Sequence, residues 1–273
     1  MKRIFFILFF ISNILNASLL QDKIVDIIGE VEYNKNKNII NALFQNESRF
    51  YINNNLNILT ILEELRKNGL LKLKFDNPKD FTIEFETNDP TISSLYIIKN
   101  ILNSMGYQNY IITNIQKSNQ DDFLKIELVL NTEYKIDPLL LTKELQKHNS
   151  KVVDLSKKDN QSWKFVVDMF FANIYGTTKI NIDESLALAK PMKPYLIEVG
   201  FAHEITISCH RLDHWYPVVV FFDEKLNPLS TIEEPIAMKE FTLEIPHGTK
   251  YIQINDLYNL NNIKRGLTIS IKG

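Results

Sequence analysis

The order of elements between Asp89 and Leu130 constrains this chain most, because the same order can be read on both sides of it. Asp89-Pro90 has the makings of a helix start. The Asp carboxylate accepts from unpaired backbone N–H groups, and proline's fixed φ suits the first turn. Leu95, Ile98, Leu102 and Met105 follow at helical spacing, and Gly106 stands where a left-handed C-terminal residue is expected. Tyr110-Ile111-Ile112 then reads as a strand and Lys117–Asp122 as a turn. Leu124, Ile126, Leu128 and Leu130 alternate as in a strand buried on one face.

The preceding stretch has Ile58, Ile61, Leu62 and Leu65 before Gly69, then alternating Leu71, Leu73 and Phe75, a turn at Asp76–Asp80, and alternating Phe81, Ile83 and Phe85. The following stretch opens with Asp137-Pro138, places Leu141 and Leu145 on a helix that Asn149 ends, and closes with Val153, Leu155, Trp163, Phe165 and Val167 around a turn at Lys157–Gln161. The helix ends align as Leu65…Gly69, Leu102…Gly106 and Leu145…Asn149, spaced 37 and 43 residues apart. That is the range of a repeated supersecondary unit, and one helix-strand-strand unit cannot cover its own apolar face. Three units over residues 57–172 are therefore expected to share a core.

Ahead of them, residues 18–56 read as a short helical segment, with Leu19–Ile28 ended by Gly29 and a second apolar stripe at Ile39, Ile40, Leu43 and Phe44. Residues 1–17 read as a secretory signal: Lys2-Arg3, an apolar run from Ile4 to Ile11, and Ala17 at a cleavage point. The run is too short to span a bilayer, so no membrane span is expected after its removal. The 273 residues carry a net charge of −2, which becomes more negative without Lys2 and Arg3. No basic surplus exists to neutralise phosphates, so nucleic acid is not an expected partner. With Cys209 the only cysteine, no intramolecular disulfide can form. Export without disulfides points to a periplasm.

Residues 173–194 change character: Gly176-Thr177-Thr178 and Pro191 and Pro194 mark a linker. From Tyr195 onward the signals are β. Ile205, Ile207 and Cys209 alternate, Val218–Phe222 is a continuous apolar strand, and Phe241, Leu243 and Ile245 alternate up to Pro246-His247-Gly248. Ile252 and Ile254, then Leu267, Ile269 and Ile271, complete the pattern of a β-sandwich over 195–273. The expected fold class is α+β, with repeated helix-strand-strand units before that sandwich.

Chemistry-bearing residues concentrate in Cys209-His210-Arg211-Leu212-Asp213-His214, with His203 upstream. One reading is a metal site, with His210 and His214 four residues apart and Cys209 or Asp213 as a third ligand. A second is a thiol nucleophile, Cys209, with a histidine base. Together they define the alternative of a metal- or thiol-dependent hydrolase. Against both, Cys209 and His210 point to opposite faces if the strand continues, and a lone cysteine is commonly a buried, inert residue. His203-Glu204 opens like a zinc-protease helix, but Ile207 stands where the second histidine belongs. No nucleophile elbow, phosphate loop, dinucleotide fingerprint or C-x-x-C pair is present. No cofactor is therefore expected. Trp215-Tyr216, beside His214, offers aromatic faces for a glycan or a protein partner, or caps the end of the sandwich.

The stretch Trp215-Tyr-Pro-Val-Val-Val-Phe-Phe-Asp-Glu-Lys-Leu-Asn-Pro228, followed by Pro246-His-Gly-Thr-Lys-Tyr-Ile252, resembles the β domain of maltose-operon periplasmic proteins over the last third of the chain. That resemblance implies a sandwich and carries no catalytic residues. The helix-strand-strand units are similar in topology to small periplasmic modules of envelope assembly, and the whole chain resembles periplasmic proteins of Gram-negative bacteria. The expected function is a non-enzymatic periplasmic binding or scaffold protein of a cell-envelope assembly, presenting strand edges to a partner.

Overall fold

The computed structural model describes residues 19–118 and 122–273, so the expected signal over 1–17 lies outside the described residues. The fold is α+β and divides into two compact units. One comprises the residues up to 90 with 94–173, the other 91–93 with 174–273. Among the described residues, no helix is long and apolar enough to cross a membrane.

The first unit begins with helices α1 (19–28), α2 (Glu30–Lys35) and α3 (Lys37–Leu43), then a minimal hairpin of β1 (Tyr51–Ile52) and β2 (Asn55–Leu56). This stretch, expected as a short helical segment over residues 18–56, carries three helices and a hairpin and belongs to the core that follows. Leu20, Ile24, Ile27, Ile40 and Phe50 are buried in the same core cluster as the elements that follow, because α1 alone has nothing else against which to cover its apolar stripe. Next come α4 (Ile58–Lys67), β3 (Lys74–Thr87), α5 (Ile92–Ser104), β4 (Ile111–Ser118), β5 (Phe123–Tyr134), α6 (Pro138–Lys147), β6 (Lys151–Asp159) and β7 (Ser162–Asp168). The strands form one sheet in the order β4-β5-β3-β7-β6. β3 runs antiparallel to β5 and parallel to β7.

Helix, strand, strand is thus the order over 92–134 and over 138–168. The stretch after α4 differs. The turn expected at Asp76–Asp80 is absent, and β3 continues through it as a single strand. Its pairing with β5 slips there, from Lys74↔Tyr134 to Lys79↔Thr132. The long neighbour holds both ends in line while the extra residues bulge. Pro78, which has no N–H to give a ladder, sits inside that slip.

The three helix ends share one geometry. Gly69, Gly106 and Asn149 are all left-handed, at φ 69°, 91° and 55°. After each, the next residue's N–H closes back five positions: Leu70 to the Leu65 carbonyl at 2.9 Å, Tyr107 to Leu102 at 2.9 Å, Ser150 to Leu145 at 3.1 Å. This is the Schellman arrangement, which satisfies carbonyls that a helix end leaves open. The starts differ. Asp137 caps α6, accepting from the N–H groups of Leu139 (3.0 Å) and Leu140 (3.4 Å), with Pro138 as the first helical residue. Asp89 instead accepts from the Ser94 hydroxyl at 2.9 Å, and α5 starts only at Ile92.

On one face of the sheet Phe81, Ile83, Phe85, Leu128, Trp163 and Phe165 pack with the helical stripes into one core. Glu84, alternating with Ile83 and Phe85, belongs to the other face. Lys157 sits at the margin of the core, where its ammonium donates to the Ile28 carbonyl at 2.9 Å. Burial, reinforced by nearby Lys135, pushes its pKa down to about 8 from 10.5. The folded chain therefore loses this proton first, and the unfolded chain binds more protons between those values. Stability of the first unit is expected to rise with pH from about 8 to 10.5. Denaturant midpoints measured across that window should climb for the native chain and stay flat, for this contribution, in Lys157→Met.

The second unit holds β8 (Thr178–Lys179), β9 (Ser185–Ala187), β10 (Tyr195–Glu198), β11 (Glu204–Cys209), β12 (Pro217–Phe222), β13 (Pro228–Glu233), β14 (Glu240–Glu244), β15 (Tyr251–Asp256) and β16 (Leu267–Lys272). They make a five-stranded sheet, β13-β12-β15-β10-β8, and a four-stranded one, β14-β11-β16-β9. Ile197, Val219, Phe221, Ile252 and Ile254 of the first sheet form one buried cluster with Ile205, Ile207, Leu267, Ile269 and Ile271 of the second.

Residues 173–194 are no linker. β8 adds to one sheet beside β10 and β9 to the other beside β16, while Ile180 is buried in the cluster. The prolines that marked a connector lie beyond these two short strands. Gly266 (φ 85°) makes the close approach possible: a Cβ there would lie 1.9 Å from the Leu188 carbonyl oxygen.

Candidate functional site

The cluster singled out by its residue types lies where β11 ends and β12 begins. There it works as a clasp. The Asp213 carboxylate is buried and bonded to Arg265 twice, through the guanidinium and through the backbone N–H at 3.0 Å. Burial alone would raise its pKa, but those two bonds hold it below the ordinary range. The Lys239 ammonium donates to the carbonyls of Asp213 and Arg211. A second buried carboxylate, Asp256, gathers the N–H groups of Tyr216, Tyr258 and Asn259 and the Asn262 amide, at 2.8–2.9 Å. Each acid satisfies several loop donors at once, which fixes the loops on either side.

The proposed metal and thiol residues do not converge. The Cys209 thiol donates to the Met238 carbonyl at 3.4 Å, and burial raises its pKa, the opposite of an activated nucleophile. His210 accepts from the Leu212 N–H at 3.2 Å and, like His214, is exposed. Among the described residues no three His, Cys, Asp or Glu side chains come together as a cation requires. His203 precedes β11 and Cys209 ends it, six residues of strand or about 20 Å away. The strand separates only His203; within the loop, Asp213 turns inward to Arg265 while His210 and His214 stay exposed.

Of the aromatic pair, Trp215 is 0% exposed, its indole N–H bonded to the Asn255 carbonyl at 2.9 Å. It caps the core and offers no surface to a ligand, which corrects its place among the candidate binding residues. Tyr216 is half-buried and meets exposed Tyr258 edge to face at 4.9 Å.

Two surface features were not read from the sequence. The first is the edge of the first unit's sheet. β4 is an outer strand of eight residues on which Ile111, Ile112 and Ile115 are 71, 41 and 48% exposed. Edge strands are normally blunted, and this one does carry a bulge at Thr113, but its three isoleucines remain exposed. The signal was present in Ile111-Ile112-Thr-Asn-Ile115, which lacks the strict alternation of a covered strand.

The second feature lies at the other end of the second unit's strands. The β10–β11, β12–β13 and β14–β15 connections surround a cleft of about 600 Å³ lined by Phe201, His203, Glu224, His247 and Lys250 among others. Lys250 pairs with Glu198 at 2.9 Å, and Asp223 is occupied by its own turn, accepting from the N–H groups of Lys225 and Asn227 at 2.8 Å. Gly248 (φ 85°) forms the tip of the Pro246–Thr249 turn.

No protein-family model matches the chain, and no curated protein does. Among solved structures it is similar to the pre-peptidase C-terminal domain of a collagenase from Bacillus anthracis, at 13% identity over 35% of this chain and 94% of that chain, with a TM-score of 0.26. It is also similar to a β-glucosidase from Paenibacillus barengoltzii, at 15% identity over 35% of this chain and 11% of that one, with a TM-score of 0.17. Scores of this size carry no argument about fold or activity.

Proposed function

We propose that this chain is a non-enzymatic periplasmic binding or scaffold protein of a bacterial cell-envelope assembly. Its first unit recruits a protein partner by strand addition to β4. The open eight-residue edge, with its three exposed isoleucines, is the observation that carries this reading. An added strand gains backbone hydrogen bonds along the edge and meets Ile112 and Ile115 on one face and Ile111 on the other, the bulge at Thr113 having shifted the alternation. In this reading the first unit is three variations on one helix-strand theme, the first lacking its hairpin, and the second unit is a β-sandwich. The periplasmic setting rests on the secretory pattern of residues 1–17, the lone cysteine and the likeness of 215–252 to maltose-operon periplasmic proteins. The clasp around Asp213 supports the non-enzymatic reading, since its acid and thiol are both engaged in holding loops.

The test is capture from crosslinked cells with the native chain and with an Ile111→Lys, Ile115→Lys double variant. The native chain is expected to retain a defined partner that the variant loses by at least about tenfold, the effect of replacing apolar contacts with two charges that must be desolvated. Equal recovery by both chains counts against β4 as the docking edge.

A further inference from the structure

We infer that the cleft around Phe201 binds a neutral oligosaccharide, with the apolar face of a sugar ring laid on the Phe201 ring. Phe201 is 94% exposed, and its side chain borders both the 600 Å³ cleft and an adjoining depression of about 490 Å³. A phenyl group held almost wholly in water on a short connection has no role in the core beneath it. Val199, Ala202 and Ile245 give the cleft an apolar floor. Around its rim stand His203, Glu224 and His247, whose side chains make no hydrogen bond or ion pair among the described residues.

A pyranose matches that arrangement: its C–H face is apolar, and its hydroxyls lie at the edge, where imidazoles and a carboxylate bond them. Charge narrows the class. Glu198 is shared between Lys250 and Lys179, and Asp223 and Glu224 add two carboxylates, so the described lining of cleft and depression holds three acids against two ammonium groups, which disfavours an anionic ligand. The volume lies within the ~300–1,000 Å³ of small-ligand sites.

The test is calorimetric titration and saturation-transfer NMR of the full chain with cellotriose, maltotriose and chitotriose. At least one is expected to bind with a Kd below about 1 mM. Phe201→Ala is expected to weaken that binding by about tenfold, and Phe201→Tyr to preserve it, because stacking needs the ring. Neither substitution should disturb the fold, since the side chain is outside the core; circular dichroism checks this. Absence of binding by all three sugars at about 10 mM overturns the inference, as does undiminished binding by Phe201→Ala. The titrations do not involve β4, so their outcome is independent of partner capture.

Discussion

Glu84→Ala is expected to lower the stability of the first unit by about 2–3 kcal/mol, a large effect for one residue on a sheet face. Glu84 is 2% exposed, and three lysines converge on it: Lys158 in direct contact, Lys125 at 3.1 Å and Lys164 at 3.7 Å. Burial by itself would raise its pKa, but the ammonium groups outweigh this and hold the carboxyl below its ordinary 4.5. Removing the acid leaves Lys125 of β5 and Lys158 at the end of β6 without this carboxylate, while Lys164 of β7 keeps Glu86 at 2.6 Å. Breaking a fully buried ion pair costs about 3–5 kcal/mol; the smaller figure applies here because the lysines keep partial access to water. Urea unfolding followed by circular dichroism should show the midpoint fall without a change in slope. The sign with pH follows. A depressed carboxyl contributes its stability above 4.5 and loses it as pH falls through the folded value. The gap between the native chain and Glu84→Gln should therefore close on acidification. A gap that does not narrow at all as pH falls below 4.5 would show that shape, not charge, makes the difference.

Trp215→Ala is expected to cost the second unit about 3–5 kcal/mol, the range for deleting a large aromatic from a core. The side chain has no exposed surface, meets Phe241 edge to face at 6.5 Å, and spends its one donor on the Asn255 carbonyl. The substitution leaves a cavity between the sheets and an unsatisfied carbonyl in it. For a unit of about this size the melting point should drop by more than about 12 °C. Trp215→Phe restores most of the volume and none of the hydrogen bond, so it should fall between. A variant that melts with the native protein would mean that Trp215 stands outside the core, and would return it to the candidate ligand contacts.

Much of the secondary structure was legible because local rules had no competitor. Asp137-Pro138, Gly69, Gly106 and Asn149 mark helix boundaries by backbone preference alone, and the alternation in 124–130, 205–209 and 267–271 needed only a core on one side. Asp76–Asp80 failed for the opposite reason: Asp, Asn and Pro prefer a turn, but a long neighbouring strand drew the segment into β3 as a bulge. Residues 173–194 failed because β8 and β9 are two and three residues long, too short for any period to show. The candidate site was misread through proximity in sequence. Cys209, Asp213 and Trp215 share a loop, and their environments (a carbonyl, a guanidinium, an apolar core) come from Met238, Arg265 and β15, which no local pattern could bring in. Phe201 carried no sequence signal beyond following Gly200. Only burial distinguishes an aromatic on a lip from one in a core.

A photoreactive residue in place of Ile115, in the native cell, tests the proposed role of the β4 edge most directly. Crosslinking from Ile115 to one defined protein, with none of that product from the more exposed Val31 on α2, is the result expected. Adducts no stronger at Ile115 than at Val31 would contradict it and leave β4 an unused edge.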